Sequence, residues 1–138
     1  MIWKMMAMLV VAITTTVVVC DEACAGHTWI CSVASAVAVD EDGTIGPPDL
    51  GERERPTFFR LDADKKELTL LGPDSRRGEV TKLETVKEVD GHHVFSGVEN
   101  GRVISVIVTA EGRMTLSIIN DGVVWSVFGH AVPAEQLK

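Results

Sequence analysis

The sequence predicts an all-β domain, folded as a single antiparallel up-and-down barrel or as a two-sheet sandwich of about eight strands. Three observations predict this class. Apolar and polar residues alternate with a period of two, most clearly in Arg113–Asn120, where Met114, Leu116 and Ile118 share one parity. β-Branched residues dominate the apolar segments, and short turns rich in Gly, Asn and Asp separate them. Consecutive strands joined by such turns form an antiparallel meander.

The C-terminal half supplies the clearest strands. Arg102–Ala110 is apolar at both parities, which predicts a central strand with both faces covered. Glu111-Gly112 and Asn120-Asp121-Gly122 are predicted turns, because Gly, Asn and Asp accept the positive φ that tight hairpins need. The predicted strands are Val94–Gly97, Arg102–Ala110, Arg113–Asn120 and Val123–Ala131, with further turns at Asp90-Gly91 and Asn100-Gly101.

The N-terminal half shows weaker patterns. Thr28–Val39 is predicted to be a long first strand, although its alanine-rich parity leaves a helix as the alternative. Phe58–Leu61 and Glu67–Leu71 form a predicted hairpin. Glu79–Val89 fits neither the helical nor the strand period well, and we interpret it as a bulged strand.

Two segments are predicted to lack regular structure. Residues 40–56 contain Gly46-Pro47-Pro48, which excludes both a helix and a central strand, so this segment is the predicted long loop. The tail Pro133–Lys138 is expected to be frayed.

Residues 1–25 have the features of a secretory signal peptide. Met5–Val19 carries no charged residue, and Ala23-Cys24-Ala25 supplies small residues for cleavage after Ala25. The alternatives are a retained membrane helix, for which the apolar run is short, and a lipoprotein acylated at Cys20. Cleavage would leave residues 26–138 as one β domain that is periplasmic or secreted and is not embedded in a membrane.

Charge and cysteine content narrow the classes of partner. The whole chain has a formal net charge of −7, and the predicted signal removes one lysine and two acids. An acidic surface argues against nucleic acid or an anionic membrane as the partner. Only Cys31 follows the predicted cleavage site, so the domain has no internal disulfide and depends on its apolar core.

The sequence contains no recognisable catalytic or metal-binding motif. Cys31 is the one candidate nucleophile, but it lies in an apolar strand where thiols are usually inert, so we expect a non-catalytic protein without a cofactor. His92 and His93 are adjacent on a strand and should point to opposite faces. His27 is a candidate copper ligand, since cleavage would place it second, beside a free α-amine; spacing reveals no second ligand, and no metal site is predicted.

Aromatic rings are the candidate binding residues. Trp125, Phe128 and Trp29 either fill the core or line the wall of a small ligand cavity. Trp125 shares its parity with Val123 and Val127, and we expect that parity to face the interior.

Three short motifs resemble small exported bacterial β proteins of unknown function. They are Trp29-x-Cys31, Glu111-Gly112-x-x-Thr115-Leu116 and Phe128-Gly129-His130. The layout is also similar to that of periplasmic inhibitors of c-type lysozyme, which are small eight-stranded barrels; the matching elements are an early Cys31 and a late Trp125 followed by Gly129-x-Ala131. The resemblance implies an acidic envelope protein that could oppose a basic enzyme.

The expected function is therefore binding. The most direct interpretation is an exported β-domain that binds a protein or small ligand in the cell envelope. An inhibitor of a lysozyme-like enzyme and an enzyme using Cys31 are the two alternatives.

Overall fold

A computed structural model describes residues 27–48 and 54–138. The predicted signal peptide, its cleavage site and the alternative lipid site at Cys20 lie outside the described residues. The fold is all-β, as predicted, with about 64% of the residues in strands. The strands are β1 Thr28–Asp40, β2 Ile45–Gly46, β3 Phe58–Asp62, β4 Glu67–Gly72, β5 Val80–Lys82, β6 Thr85–Val89, β7 His92–Glu99, β8 Arg102–Val108, β9 Arg113–Asn120 and β10 Val123–Pro133.

The strands form one antiparallel sheet that curls into a half-barrel. Its order is β5-β4-β3-β1-β10-β9-β8-β7-β6, with β2 paired to the far end of β1. The long β1 lies near the middle, since it pairs with β10 along its length and with β3 along its first part. The meander β6 to β10 matches the order predicted from the hairpin turns.

Positive backbone φ angles confirm the predicted hairpin turns. Asn100 and Gly101 have φ of 51° and 74°, and Asp90 and Gly91 have 51° and 78°. When both central residues of a two-residue turn have positive φ, the twist of the turn matches the right-handed twist of the flanking strands. Gly112 and Gly122 supply the same freedom in the turns on either side of β9.

The predicted strand Glu79–Val89 is two strands, because the chain passes from one edge of the sheet to the other within it. β5 pairs with β4 and β6 pairs with β7. Between them the Leu83 N–H donates to the Lys66 carbonyl at 2.8 Å, and the Glu84 N–H donates to the Ser96 carbonyl at 2.8 Å. Gly97 permits this crossing, since a Cβ there would lie 2.8 Å from the Lys82 carbonyl oxygen.

The core fills the concave side of the sheet. Its largest fully buried side chains come from strands on both sides of β1, so the two halves of the sheet share one core. The interior parity of β9 and β10 is as predicted, with Met114 and Leu116 buried and Val127 packed against them. The largest fully buried side chains are Phe59, Phe95, Leu61, Met114, Val106, Val108 and Cys31.

The convex side of the sheet is exposed, which corrects one prediction. β8 is central in the sheet, as expected, but its outward residues Val103 and Ile107 are 42% and 41% exposed. The apolar content of both parities indicated two covered faces. Within the described residues a single curled layer covers only the inner one, so the outer apolar positions face solvent.

Three other predictions change in detail. Thr28–Val39 is a strand and not the alternative helix, and it carries a β-bulge between Val33 and Ser35. The predicted loop 40–56 contains β2, which adds two residues of pairing to β1. The tail is not frayed along its length, since β10 runs to Pro133 and Ala134–Leu137 forms a 3-10 turn.

Candidate functional site

The three aromatic residues predicted to bind a ligand do not converge on one site. Trp29 is 5% exposed and belongs to the core near the start of β1. Trp125 pairs with Ala38 near the opposite end of β1 and is half-buried. Phe128 has the opposite parity and is 44% exposed on the outer face. Strand alternation and strand length therefore separate the three rings, and a ligand-binding role for any one of them stays a prediction.

The Cys31 thiol lies in the core, away from solvent. Its side chain is fully buried in the core, and burial raises the pKa of the thiol to about 12. A thiol with such a pKa is protonated at neutral pH, whereas the thiolate is the nucleophile.

The outer face carries a continuous row of exposed apolar side chains. Strand register places them side by side: Val98 opposite Val103, Val103 opposite Ile119, Ile119 opposite Val124, Val124 opposite Val39, and Val39 opposite Ile45. Six strands contribute one residue each, so the row spans roughly 24 Å at the usual strand spacing. We call this set the apolar row: Ile45 (69% exposed), Val39 (37%), Val124 (39%), Ile119 (48%), Val103 (42%) and Val98 (56%).

A row of small hydroxyl residues runs beside the apolar row. Ser105 pairs with Ser96 and Ser117, and Ser126 pairs with Ser117. The four serines therefore lie in register across four strands, each two residues along its strand from a member of the apolar row. All four are half-buried, since larger side chains flank them on the same face. The four serines thus form a lower strip of the surface beside the apolar row, whose longer side chains project further from the sheet.

Acidic residues lie in the turns at the end of the sheet that is next to the apolar row. The turns β1–β2, β7–β8 and β9–β10 all lie at this end and border the apolar row. They carry five acids and one base, Arg102. The hydroxyl and the backbone N–H of Thr44 donate hydrogen bonds to the Asp42 carboxylate and lower its pKa. We call these acids the acidic rim: Asp40, Glu41, Asp42, Glu99 and Asp121.

Trp125 lines a cleft at the same end. The cleft has a volume of about 330 Å³, and its wall includes Val123, Ala38 and Pro47. Asp40 of the acidic rim also lines it. The cleft is therefore a partly apolar recess on the concave side of the sheet, at the end where the acidic rim lies.

A cluster of rings occupies the other end of the half-barrel. The ring centres of Trp29 and His93 lie 4.6 Å apart, and those of His27 and Trp29 lie 5.5 Å apart. A cavity of about 200 Å³ adjoins the cluster. As predicted, His92 and His93 do not share a face: His93 turns inward onto Trp29, whereas His92 follows the outer parity of β7. Among the residues that the structure describes, no group of three or more His, Cys, Asp or Glu side chains could hold a metal ion.

Two features of this arrangement escaped the sequence analysis. The apolar row depends on the register of six strands, and its members lie far apart in sequence. The signal in the sequence that could reveal the row is the repeated pattern apolar-Ser-apolar at every second residue of Val94–Val98, Val103–Ile107 and Val124–Phe128. The contact of His27 with His93 is likewise nonlocal.

Comparison with known proteins returns no relative. No family model matches the chain, and no curated protein or solved structure is significantly similar to it. In the part of the chain described by the structure, no helix has the length and apolarity needed to cross a membrane. Function is therefore inferred from the surfaces of the chain itself.

Proposed function

We propose that this chain is an exported, non-catalytic β-domain that binds a basic protein in the cell envelope through the apolar row and the acidic rim. The observation that carries the proposal is the row itself, six exposed apolar side chains in register across six strands. Contiguous apolar surface of this kind is costly to leave in water and marks interaction sites.

The shape of the surface favours a protein over a small molecule. The apolar row lies on the convex side of the sheet, whereas small ligands bind in concave sites that bury most of their surface. A protein interface has an apolar centre and a polar margin. The row would be the centre of such an interface and the rim its margin.

Charge favours a basic partner. Five acids against one base in the three turns that border the row attract a cationic surface and accelerate its encounter. A second copy of the chain would bring two acidic rims together, and repulsion between like charges opposes that arrangement. The resemblance to inhibitors of c-type lysozyme supports the same class of partner, a basic enzyme, and a c-type lysozyme is the first purified protein to test.

A retention experiment tests the proposal. The domain of residues 26–138 is immobilised, incubated with bacterial periplasmic extract or with purified c-type lysozyme, and washed at low salt. Wild type should retain a basic protein that Ile119→Glu does not. Thr115→Glu is the matched control, since it places the same charge on the same face of β9 but outside the row.

Two results would count against the proposal. One is retention of the same proteins by wild type and Ile119→Glu. The other is concentration-dependent dimerisation of the free domain in sedimentation, lost in Ile119→Glu, which would identify a second copy as the occupant.

Export is a separable part of the proposal, supported by the charge-free segment Met5–Val19 and the small residues before Gly26. The mass of the protein recovered outside the cytoplasm should correspond to a chain beginning at Gly26. A mass that includes Met1, or that carries a lipid on Cys20, would contradict this part and leave the binding surface untouched.

A further inference from the structure

The indole of Trp125 faces open space on the concave side of the half-barrel. Ala38 on β1 lies directly opposite Trp125, and Gly46 on β2 lies opposite Ala38. The two positions beside the ring therefore carry a methyl group and no side chain. A Cβ added to Gly46 would meet no atom within 4 Å, so the space there is unfilled. Protein interiors are close-packed, and an indole left half-buried beside such a space is unusual in a core.

The other tryptophan of the domain shows how a packed indole is covered. Trp29 is 5% exposed, and the ring centres of His27, His93 and Phe95 lie between 4.6 and 5.6 Å from its own. Among the residues that the structure describes, none places an aromatic ring against Trp125. Trp125 also lies outside the cluster of buried core residues. Core packing therefore does not explain the large ring at this position.

We propose that the Trp125 cleft binds an alkylammonium ligand, which is a primary ammonium group carried on an aliphatic chain. The cleft volume of about 330 Å³ lies at the lower end of the range for small-ligand sites, roughly 300–1,000 Å³. Val123 and Pro47 supply apolar wall for methylene groups. The face of an indole attracts a cation more strongly than any other aromatic side chain does, at distances up to about 6 Å.

Carboxylates decide the sign of the ligand's charge. Asp40 lines the cleft and pairs in register with Val123. The Glu41 carboxylate lies beside the β9–β10 turn, 3.6 Å from where a Cβ on Gly122 would be. Of the described residues, no lysine or arginine lines the cleft, and none forms an ion pair with Asp40 or Glu41. An anion would be repelled here, whereas an ammonium group gains a carboxylate partner as well as the indole face.

The cleft is separate from the surface proposed to bind a protein. The apolar row projects from the convex side, whereas Trp125 and Asp40 have the opposite parity on their strands. On β2 the two neighbours Ile45 and Gly46 belong to the row and to the cleft, respectively. The alkylammonium site does not rest on the proposed function, and either can fail without the other.

Titration of the ¹⁵N-labelled domain of residues 26–138 with n-pentylamine tests the inference. The indole N–H signal of Trp125, identified by its absence in Trp125→Phe, should shift and saturate. n-Pentanol, which has the same length and no charge, should bind about fivefold more weakly or worse, and pentanoate should cause no shift. No shift with pentylamine, or equal dissociation constants for pentylamine and pentanol, would overturn the inference.

Two sources of the ligand share this chemistry, a free amine and a lysine side chain of a polypeptide. Nα-acetyl-lysinamide carries the same ammonium group on a peptide unit. Binding as tight as that of pentylamine would assign the cleft to a lysine side chain, and clearly weaker binding would assign it to a free amine. Both results support an alkylammonium site.

A variant that fills the cleft tests its location. Gly46→Leu places a side chain in the open space without removing Trp125 or a charge, and it should abolish the shift. Ser35→Leu is the matched control, since it adds the same side chain at an exposed position on the convex face of β1 and should bind as wild type does. Undiminished binding by Gly46→Leu, with circular dichroism showing a folded protein, would overturn the inference.

A pair of charge variants tests the carboxylate. Asp40→Asn should weaken pentylamine binding roughly threefold or more and leave pentanol binding unchanged. Asp121→Asn removes the same charge from the acidic rim outside the cleft, so it should weaken pentylamine binding less. Equal losses in the two variants would mean that the rim acts only through its overall charge, and they would overturn the role of Asp40 in the site.

Discussion

Val103 and Ile119 lie directly opposite each other on β8 and β9, and both project from the convex face of the sheet into solvent. Each is more than 40% exposed, although both flanking strands of each residue are in place. Their exposure therefore arises from the single-layer architecture and not from an incomplete sheet. Function is expected at this face because the fold itself does not require apolar residues there.

The first prediction concerns that face. Replacing Val103 and Ile119 together by Thr should change the free energy of unfolding by less than about 1 kcal/mol, because Thr keeps the β-branched shape and both positions are exposed. Binding of a dye that fluoresces on apolar surfaces should fall. A large loss of stability in urea denaturation, with dye binding unchanged, would show that the row is structural.

The second prediction compares the two tryptophans. Trp29→Ala should cost roughly 3–5 kcal/mol, a large share of the 5–15 kcal/mol typical of a domain, because the ring is buried in the core. Trp125→Ala should cost less, about 1–3 kcal/mol, since its ring lines an open cleft. Ser117→Ala, on the outer face, should stay within about 0.5 kcal/mol of wild type. Urea midpoints rank the three variants, and a Trp125→Ala midpoint below that of Trp29→Ala would contradict the assignment.

The third prediction tests the strand crossing between β5 and β6. Gly97→Ala places a methyl group against the Lys82 carbonyl and the Leu83 backbone, and overpacking of this kind costs about 1–3 kcal/mol. Gly46→Ala is the control, since a Cβ there meets nothing within 4 Å. Thermal unfolding of both variants measures the difference. Equal melting temperatures would mean that the chain does not cross beside Gly97.

The fourth prediction concerns pH. Because the pKa of His93 is lower in the folded state than its usual 6.5, the unfolded chain binds protons first as the pH falls. The contribution of this group to stability is complete above that value and is lost as the pH drops through the folded pKa. Between pH 7.5 and pH 5, wild type should lose more stability in urea than His93→Gln does. Parallel losses in the two proteins would refute a lowered pKa.

The fifth prediction concerns Cys31. With its thiol buried and its pKa raised to about 12, it should resist a chromogenic disulfide reagent at pH 8 in the native state. Urea should release one reactive thiol per mature chain. Complete reaction within minutes without denaturant would contradict the burial of the thiol and favour the hypothesis of a cysteine enzyme.

The sequence indicated those parts of the fold that local chemistry determines. β8, β9 and β10 were predictable because Asn100-Gly101 and Gly112 specify tight turns and Arg113–Asn120 alternates cleanly. The break between β5 and β6 at Leu83 was not predictable, since it depends on the contact of this segment with Gly97 in β7.

The candidate sites were less predictable for the same reason. The parity of Trp125 was correct, but its depth depends on where β1 ends relative to β10. The apolar row and the contact of His27 with His93 combine residues distant in sequence, so only strand register reveals them.

The most direct measurement is the dissociation constant of the retained protein, purified and titrated against the free domain at low and high salt. Wild type and Thr115→Glu should bind with similar affinity, and the affinity should fall as salt screens the acidic rim. Ile119→Glu should bind at least tenfold more weakly, because a charge then enters the apolar centre of the interface. Equal dissociation constants for wild type and Ile119→Glu would contradict a binding role for the apolar row.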